Sequence, residues 1–242
     1  MDAGKLGVTV SADPAPVAVA NRRKLDALVA GRGGDWKELP GTRVEVDQLR
    51  RLFGDKATVL ADSAASEHGL NDLRKADGLK RFRFVHLATH GEGNTVRALE
   101  SSLILAQDRL PGDLVARDGE PLLDGRLTAR EVLDHWHLDA ELVTLSACET
   151  AIGVKAGGDG LLGFAQAFLV AGSRSVCLSL WRVDDTATAL LMDRFYRNLL
   201  RRHWLARPMG KAAALAEAKA WLRELTADQV LTHAAALTNG VV

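Results

Sequence analysis

Apolar residues recur along the chain in two rhythms, compact runs of strand length and longer stretches at helical spacing. Residues 82–88 (Phe-Arg-Phe-Val-His-Leu-Ala) form a compact run that ends at Thr89-His90-Gly91, where polar residues and a glycine stop the pattern. Residues 142–147 are almost continuously apolar, as a strand buried on both faces would be. Shorter runs at 8–10, 56–60, 103–105 and 175–181 predict further strands. Helical spacing follows two capping boxes. Thr42-Arg43-Val44-Glu45 precedes Val46, Leu49, Leu52 and Phe53, while Thr128-Ala129-Arg130-Glu131 is flanked by Leu127 and Val132 as a hydrophobic staple, with that helix running to about His135. Residues 66–79 predict a weaker helix burying Leu70 and Leu73, and 161–170 a helix ended by Gly172. Asp184 or Asp185 caps a long helix carrying Leu190, Leu191, Phe195, Tyr196 and Leu199, and a last Ala-rich helix covers about 211–225. Between the strand at 103–105 and Leu127, the polar, Gly/Asp-rich residues 106–126 predict a long excursion or a hairpin.

Strands therefore alternate with helices from residue 57 onward, which favours an α/β domain with a mainly parallel sheet and helices on both faces. The first forty residues lack such a pattern: Asp13-Pro14-Ala15-Pro16 breaks the possible first strand and Gly31-Arg32-Gly33-Gly34 is a loop. The expected division is an irregular segment 1–40 and one domain over 41–242. At 242 residues, with 47% apolar and 26% charged residues, the chain has ample material for a core. Lys plus Arg and Asp plus Glu each number 31, so no broad positive field invites nucleic acid, and no direct nucleic-acid partner is expected. Two cysteines, Cys148 and Cys177, make no disulfide framework and no CxxC zinc pair. The N-terminus has no signal-peptide pattern, and the longest apolar stretch, 161–172, contains Gln166 and is too short for a bilayer. These features predict a soluble cytoplasmic domain without a membrane partner, metal or cofactor.

Functional residues in parallel sheets gather where strands end at their C-terminal edge. His90 follows the run ending near Ala88, and Cys148 follows the run ending near Ala147. A thiol with a free pKa near 8.5 needs a neighbouring base to act as a nucleophile at neutral pH, and an imidazole on an adjacent strand suits that need. The plain alternative is a buried small thiol and a satisfied loop histidine. Gly158-Asp159-Gly160-Leu161-Leu162-Gly163 has the GxGxxG form but does not directly leave a strand, so a nucleotide-binding reading rests on the glycines alone. His86 lies within a strand and reads as a core residue rather than a ligand; Cys177 and Trp181 read as packing, and Trp36 as either satellite packing or a partner surface.

The blocks Val85-His86-Leu87-Ala88-Thr89-His90-Gly91, Leu127-Thr128-Ala129, Leu145-Ser146-Ala147-Cys148-Glu149-Thr150 and Leu180-Trp181-Arg182-Val183-Asp184-Asp185 closely resemble the CHAT family over about residues 40–225. That family consists of caspase- and separase-related cysteine proteases. The resemblance implies a caspase-like three-layer α/β/α fold, His90 as catalytic histidine and Cys148 as nucleophile. It also implies an oxyanion hole built from the backbone N–H groups of Gly91 and Cys148. The block ending at Asp185 is similar to the separase segment whose aspartate receives a basic P1 side chain. Asp185, with Asp184 and Glu149 beside it in the acidic set, is thus a candidate S1 residue, and a helix cap is the alternative for either aspartate.

The function implied is that of a cysteine endopeptidase cleaving a protein partner in a regulated bacterial defence or signalling system. A gasdermin-like pore former is a possible substrate, and an activator protein or sensor domain a further possible partner. The alternative is a catalytically silent caspase-like interaction module. No tetratricopeptide period is present in the chain. The glycine and polar content of 106–126 and 149–160 makes these loops the places where activation would act.

Overall fold

The computed structural model describes residues 8–11, 39–94, 96–107, 110, 120–146, 159–179, 183–200 and 208–238. The chain divides into two compact units, Met1–Glu38 with Thr58–Arg182, and Leu39–Ala57 with Val183–Val242.

The first unit is built on a five-stranded sheet. Its strands are β1 (Val8–Ser11), β2 (Thr58–Ala61), β3 (Phe84–Ala88), β7 (Leu142–Ser146) and β8 (Val176–Leu178), in the order β2-β1-β3-β7-β8. Every pairing is parallel. The two apolar runs that dominate the sequence become the paired strands β3 and β7, with Val85 opposite Val143 and Leu87 opposite Leu145. All five residues of each strand are buried, which is why neither run shows a two-residue alternation. Val85, Leu87, Val143 and Leu145 share one hydrophobic core with Leu70 of α2 (Glu67–Lys75), Val132 of α3 (Ala129–His135) and Phe164 and Phe168 of α4 (Asp159–Val170). Phe164 and Phe168 stack at 5.9 Å, and Trp136 meets Phe168 edge-on at 5.9 Å.

Between β3 and β7 the chain makes a second, three-stranded antiparallel sheet of β4 (His90–Glu92), β5 (Ser102–Ile104) and β6 (Arg126–Thr128). The β5–β6 pairing bears out the hairpin expected around 106–126, whose residues 108, 109 and 111–119 lie outside the described ones. The strand at 90–92 is a correction. The glycine and polar residues that end β3 do not end strand structure, because β4 finds its hydrogen-bond partner in β5.

Local signals set most element ends. Thr128 caps α3 in a complete capping box with Glu131, and the staple residues Leu127 and Val132 are both buried. Gly172, at φ +112, closes α4: its N–H donates to Leu169 at 3.2 Å, and Ser173 N–H reaches back to Phe168 at 2.9 Å. A Cβ on Gly163 would stand 2.1 Å from the Ala98 carbonyl oxygen, so this glycine of the GxGxxG string serves close packing of α4. The helix expected over 66–79 stops at Lys75, and Asp77, at φ +51, turns the chain into a single 3-10 turn at Gly78–Arg81.

The second unit is helical: α1 (Pro40–Phe53), α5 (Asp185–Leu199), α6 (Lys211–Glu224) and α7 (Ala227–Thr238). Here the first capping box is not used. The α1 helix starts earlier, after Leu39, with Pro40 supplying a pre-set first turn and no side-chain cap, so Thr42 is already helical and buried. The Ala-rich helix is also not the last. Thr226 and Gln229 exchange backbone and side-chain hydrogen bonds in a capping box that begins α7, and Gln48 Nε2 donates to the Leu237 carbonyl at 2.5 Å. Phe53 and Tyr196 meet edge-on at 5.7 Å, tying α1 to α5.

Candidate active site

The placement of His90 begins with Thr89. This residue is fully buried at the end of β3, where its hydroxyl donates to the Ile104 carbonyl and anchors the start of β4 to β5. His90 follows as the first residue of β4, half-buried and opposite Ile104. Gly91 is buried and opposite Leu103. In the parallel sheet Ala88 is in register with Ser146. Both strands end at the same edge of the sheet; in sequence His90 comes two residues after Ala88, and Cys148 two residues after Ser146. Adjacent strands lie about 4.8 Å apart, so the two chain exits leave the sheet side by side. Cys148 and Glu149 lie outside the described residues, as does the Cys148 amide assigned to the oxyanion hole.

Leu103 and Leu127 pack the small sheet into the core, and polar side chains tie its other face. The register puts His90, Ile104 and Arg126 in one row across the three strands, and Glu92, Ser102 and Thr128 in the next. Side chains directly opposite, or two apart on a strand, share a face. Arg126 and Glu92 form an ion pair across that face, with the Arg126 side chain 9% and the Glu92 side chain 41% exposed. On the outer side of β6, the Glu67 carboxylate accepts the Gly125 N–H at 2.5 Å and the Arg126 N–H at 3.2 Å. Burial, followed by the neighbouring carboxylates of Glu131 and Asp124, pushes the Glu67 pKa up to about 8 against the pull of those two N–H bonds. Burial also raises the Glu131 carboxyl.

Two of the acidic S1 candidates, Asp184 and Asp185, belong to the helical unit. Asp184 is exposed and is the N-cap of α5, accepting the Ala187 N–H at 2.9 Å. Asp185 begins that helix half-buried, with Gly41 pressed so closely that a Cβ there would lie 2.3 Å from the Asp185 Cβ. The capping role is therefore filled by Asp184. His86, 2% exposed, lies within β3 in register with Thr144, the position of a core residue. Cys177 is half-buried in β8, in register with the same Thr144. Among the described residues, no three His, Cys, Asp or Glu side chains gather as a metal site, and no helix is long and apolar enough to cross a membrane.

The sequence model of the CHAT domain matches residues 7–237. This chain belongs to the CHAT domain family. The matched range includes β1, which lies between β2 and β3 in the sheet. The CHAT domain is 28% identical over 226 residues to tetratricopeptide repeat protein 28 of Mus musculus and, equally, of Homo sapiens; the match covers 84% of this chain but 9% of each relative. Among solved structures it is similar to the Arg-specific cysteine proteinase gingipain R, with a TM-score of 0.51 and 9% identity, over 94% of this chain and 44% of that one. The fold is thus the α/β, caspase-like one that the sequence blocks imply.

Three residues that hold the His90 sheet of this CHAT domain escape a sequence reading: Glu67, Glu92 and Arg126. Glu67 follows Ser66, which caps α2 by accepting the Gly69 N–H, so it reads as an ordinary first-turn acid of an amphipathic helix. Its partners lie 58 and 59 residues away, and no local pattern announces them.

Proposed function

We propose that this CHAT domain is a cysteine endopeptidase in which His90 and Cys148 form the catalytic dyad. The single observation that carries the reading is the register of Ala88 with Ser146, which starts the two loops from adjacent strands at one sheet edge. His90 assists formation of the Cys148 thiolate, and the thiolate attacks the peptide carbonyl. The N–H groups of Gly91 and Cys148 hold the oxyanion, and His90 protonates the leaving amine before water releases the acyl-enzyme. Asp185 is the proposed acceptor of a basic P1 side chain, with Asp184 and Glu149 adding negative charge. The chain spans 9% of the length of its curated relatives, so a protein substrate and an activating partner are part of the proposal.

The test is cleavage of a diverse peptide library, read by mass spectrometry, with wild type, Cys148→Ala and His90→Ala. Both folded variants are expected to lose cleavage by more than about 1000-fold, and the cut positions to report the P1 preference. Retained cleavage in either variant overturns the dyad. A folded wild type that cuts nothing, alone or with candidate activators, favours the silent interaction module.

A further inference from the structure

Glu67 is 4% exposed and stands beside two other carboxylates, Glu131 and Asp124. Burial and those carboxylates favour its protonated form, whose carbonyl oxygen accepts both N–H bonds as an amide oxygen would. What this acid holds is the point where the chain returns from the β5–β6 excursion. Gly125, at φ +85, is fixed from two sides: its N–H by Glu67 and its carbonyl by the Leu105 N–H at 2.9 Å. A Cβ on Gly125 would lie 2.5 Å from Gln107 Cγ, so the turn is closely packed as well as strained for any other residue. Arg126 comes next, 8% exposed, with its N–H shared between Glu67 at 3.2 Å and Asp124 Oδ1 at 3.0 Å and its guanidinium on Glu92. Glu92 shares a strand and a face with His90. A continuous series of polar contacts thus runs from Glu67 through Arg126 to the strand that carries His90.

We propose that Glu67 is a positioning residue for His90, acting by clamping the Gly125–Arg126 turn so that Arg126 and Glu92 fix β4. The kinetic part of this proposal rests on the His90–Cys148 reading; the structural part does not. The groups facing Glu67 are Glu131 on α3 and Asp124 on the returning segment, with Arg74 of α2 and His135 of α3 lining the same cleft.

The experiment compares full-length wild type, Glu67→Gln and Glu67→Leu. Two quantities are read, the His90 imidazole proton resonance by NMR across pH, and kcat and KM on the best library peptide. Glu67→Leu is expected to move the His90 resonance and to lower kcat about 10- to 100-fold with KM within about twofold, the signature of a displaced catalytic group. Glu67→Gln keeps an acceptor oxygen in place and is expected to restore both. A folded Glu67→Leu with wild-type resonance and kcat overturns the proposal, and so does a Gln variant as damaged as the Leu variant. Should Glu67→Leu fail to fold, Arg126→Met tests the contact series from its middle, with the same kcat-selective loss expected and an unchanged kcat overturning it. If wild type cleaves nothing, the dyad reading fails on its own terms and the resonance decides: a shift in Leu but not in Gln supports positioning, and no shift overturns it.

Discussion

The two sheets of the first unit share one core but differ in what polar contacts add to it. In the parallel sheet, β3 and β7 are buried on both faces and meet a core of Leu, Val and Phe side chains from three helices. In the antiparallel sheet the strands are three residues long; Leu103 and Leu127 enter the same core, and polar ties are added to that burial: the Thr89 hydroxyl on Ile104, the Arg126–Glu92 pair, and the Glu67 carboxylate on the β6 turn. Apolar burial is non-directional and tolerates small displacements, whereas a hydrogen bond weakens steeply once distance and angle depart from ideal. The first arrangement suits a scaffold. The second suits the element that must hold His90 at a set place.

This contrast predicts that stability and activity separate between the sheets. The largest stability loss is expected from Leu145→Ala, which empties a fully buried position of β7 and costs about 2–5 kcal/mol in chemical denaturation. In its folded fraction kcat is expected to fall less than threefold. Thr89→Val removes the hydroxyl that donates to Ile104 and leaves a buried carbonyl short of a partner, at a smaller cost of about 1–3 kcal/mol. Its kcat is nevertheless expected to fall by about 10-fold or more, because the lost bond anchors the residue before His90. If the two variants lost activity in proportion to stability, the division of labour between the sheets would be wrong.

The same division explains what was legible in the sequence. The runs at 82–88 and 142–147 announce their strands because burial on both faces writes itself into consecutive apolar residues. The box at Thr128 announces α3 because both partners are local. His90-Gly91-Glu92 announces nothing, since three polar or small residues become a strand only by pairing with residues 102–104. Glu67 is silent for the same reason, its role being fixed by a turn 58 residues away. The helix at Ala227–Thr238 was readable in Thr226 and Gln229, and the Ala-rich stretch before it obscured that signal. On the site itself, sequence blocks point to His90 and Cys148, and the strand register that starts their loops together required the fold.

A pH titration sharpens the contrast further. Glu67 keeps its proton in the folded chain up to about pH 8, while the unfolded chain releases it near the ordinary value of 4.5. Between these limits the folded state binds more protons, so this residue's contribution to stability is full below about pH 4.5 and is lost as pH rises through about 8. Denaturation midpoints of wild type are therefore expected to fall relative to Glu67→Gln between pH 5 and about pH 8.5. Parallel midpoints over that range would mean that Glu67 is ionised in the folded state throughout it.

The smallest effect belongs to Thr128, at the opposite end of β6 from the Glu67 clamp. Its hydroxyl accepts the Glu131 N–H at 3.1 Å, and its own N–H and O–H both reach the Glu131 carboxylate at 2.7 Å. Thr128→Ala removes the side-chain half of the box and is expected to cost about 1 kcal/mol. Its backbone N–H remains bonded to Glu131, and Arg126, which holds Glu92 of the Thr128 row, stays fixed at the clamp end of β6, so kcat is expected to stay within about twofold of wild type. A polar tie at the end of this sheet that leads into α3 would then matter for stability alone, and the ties that reach β4 would be the ones that matter for His90. A kcat loss in Thr128→Ala as large as in Thr89→Val would show instead that the whole antiparallel sheet moves as one body, with no privileged route from Glu67 to His90.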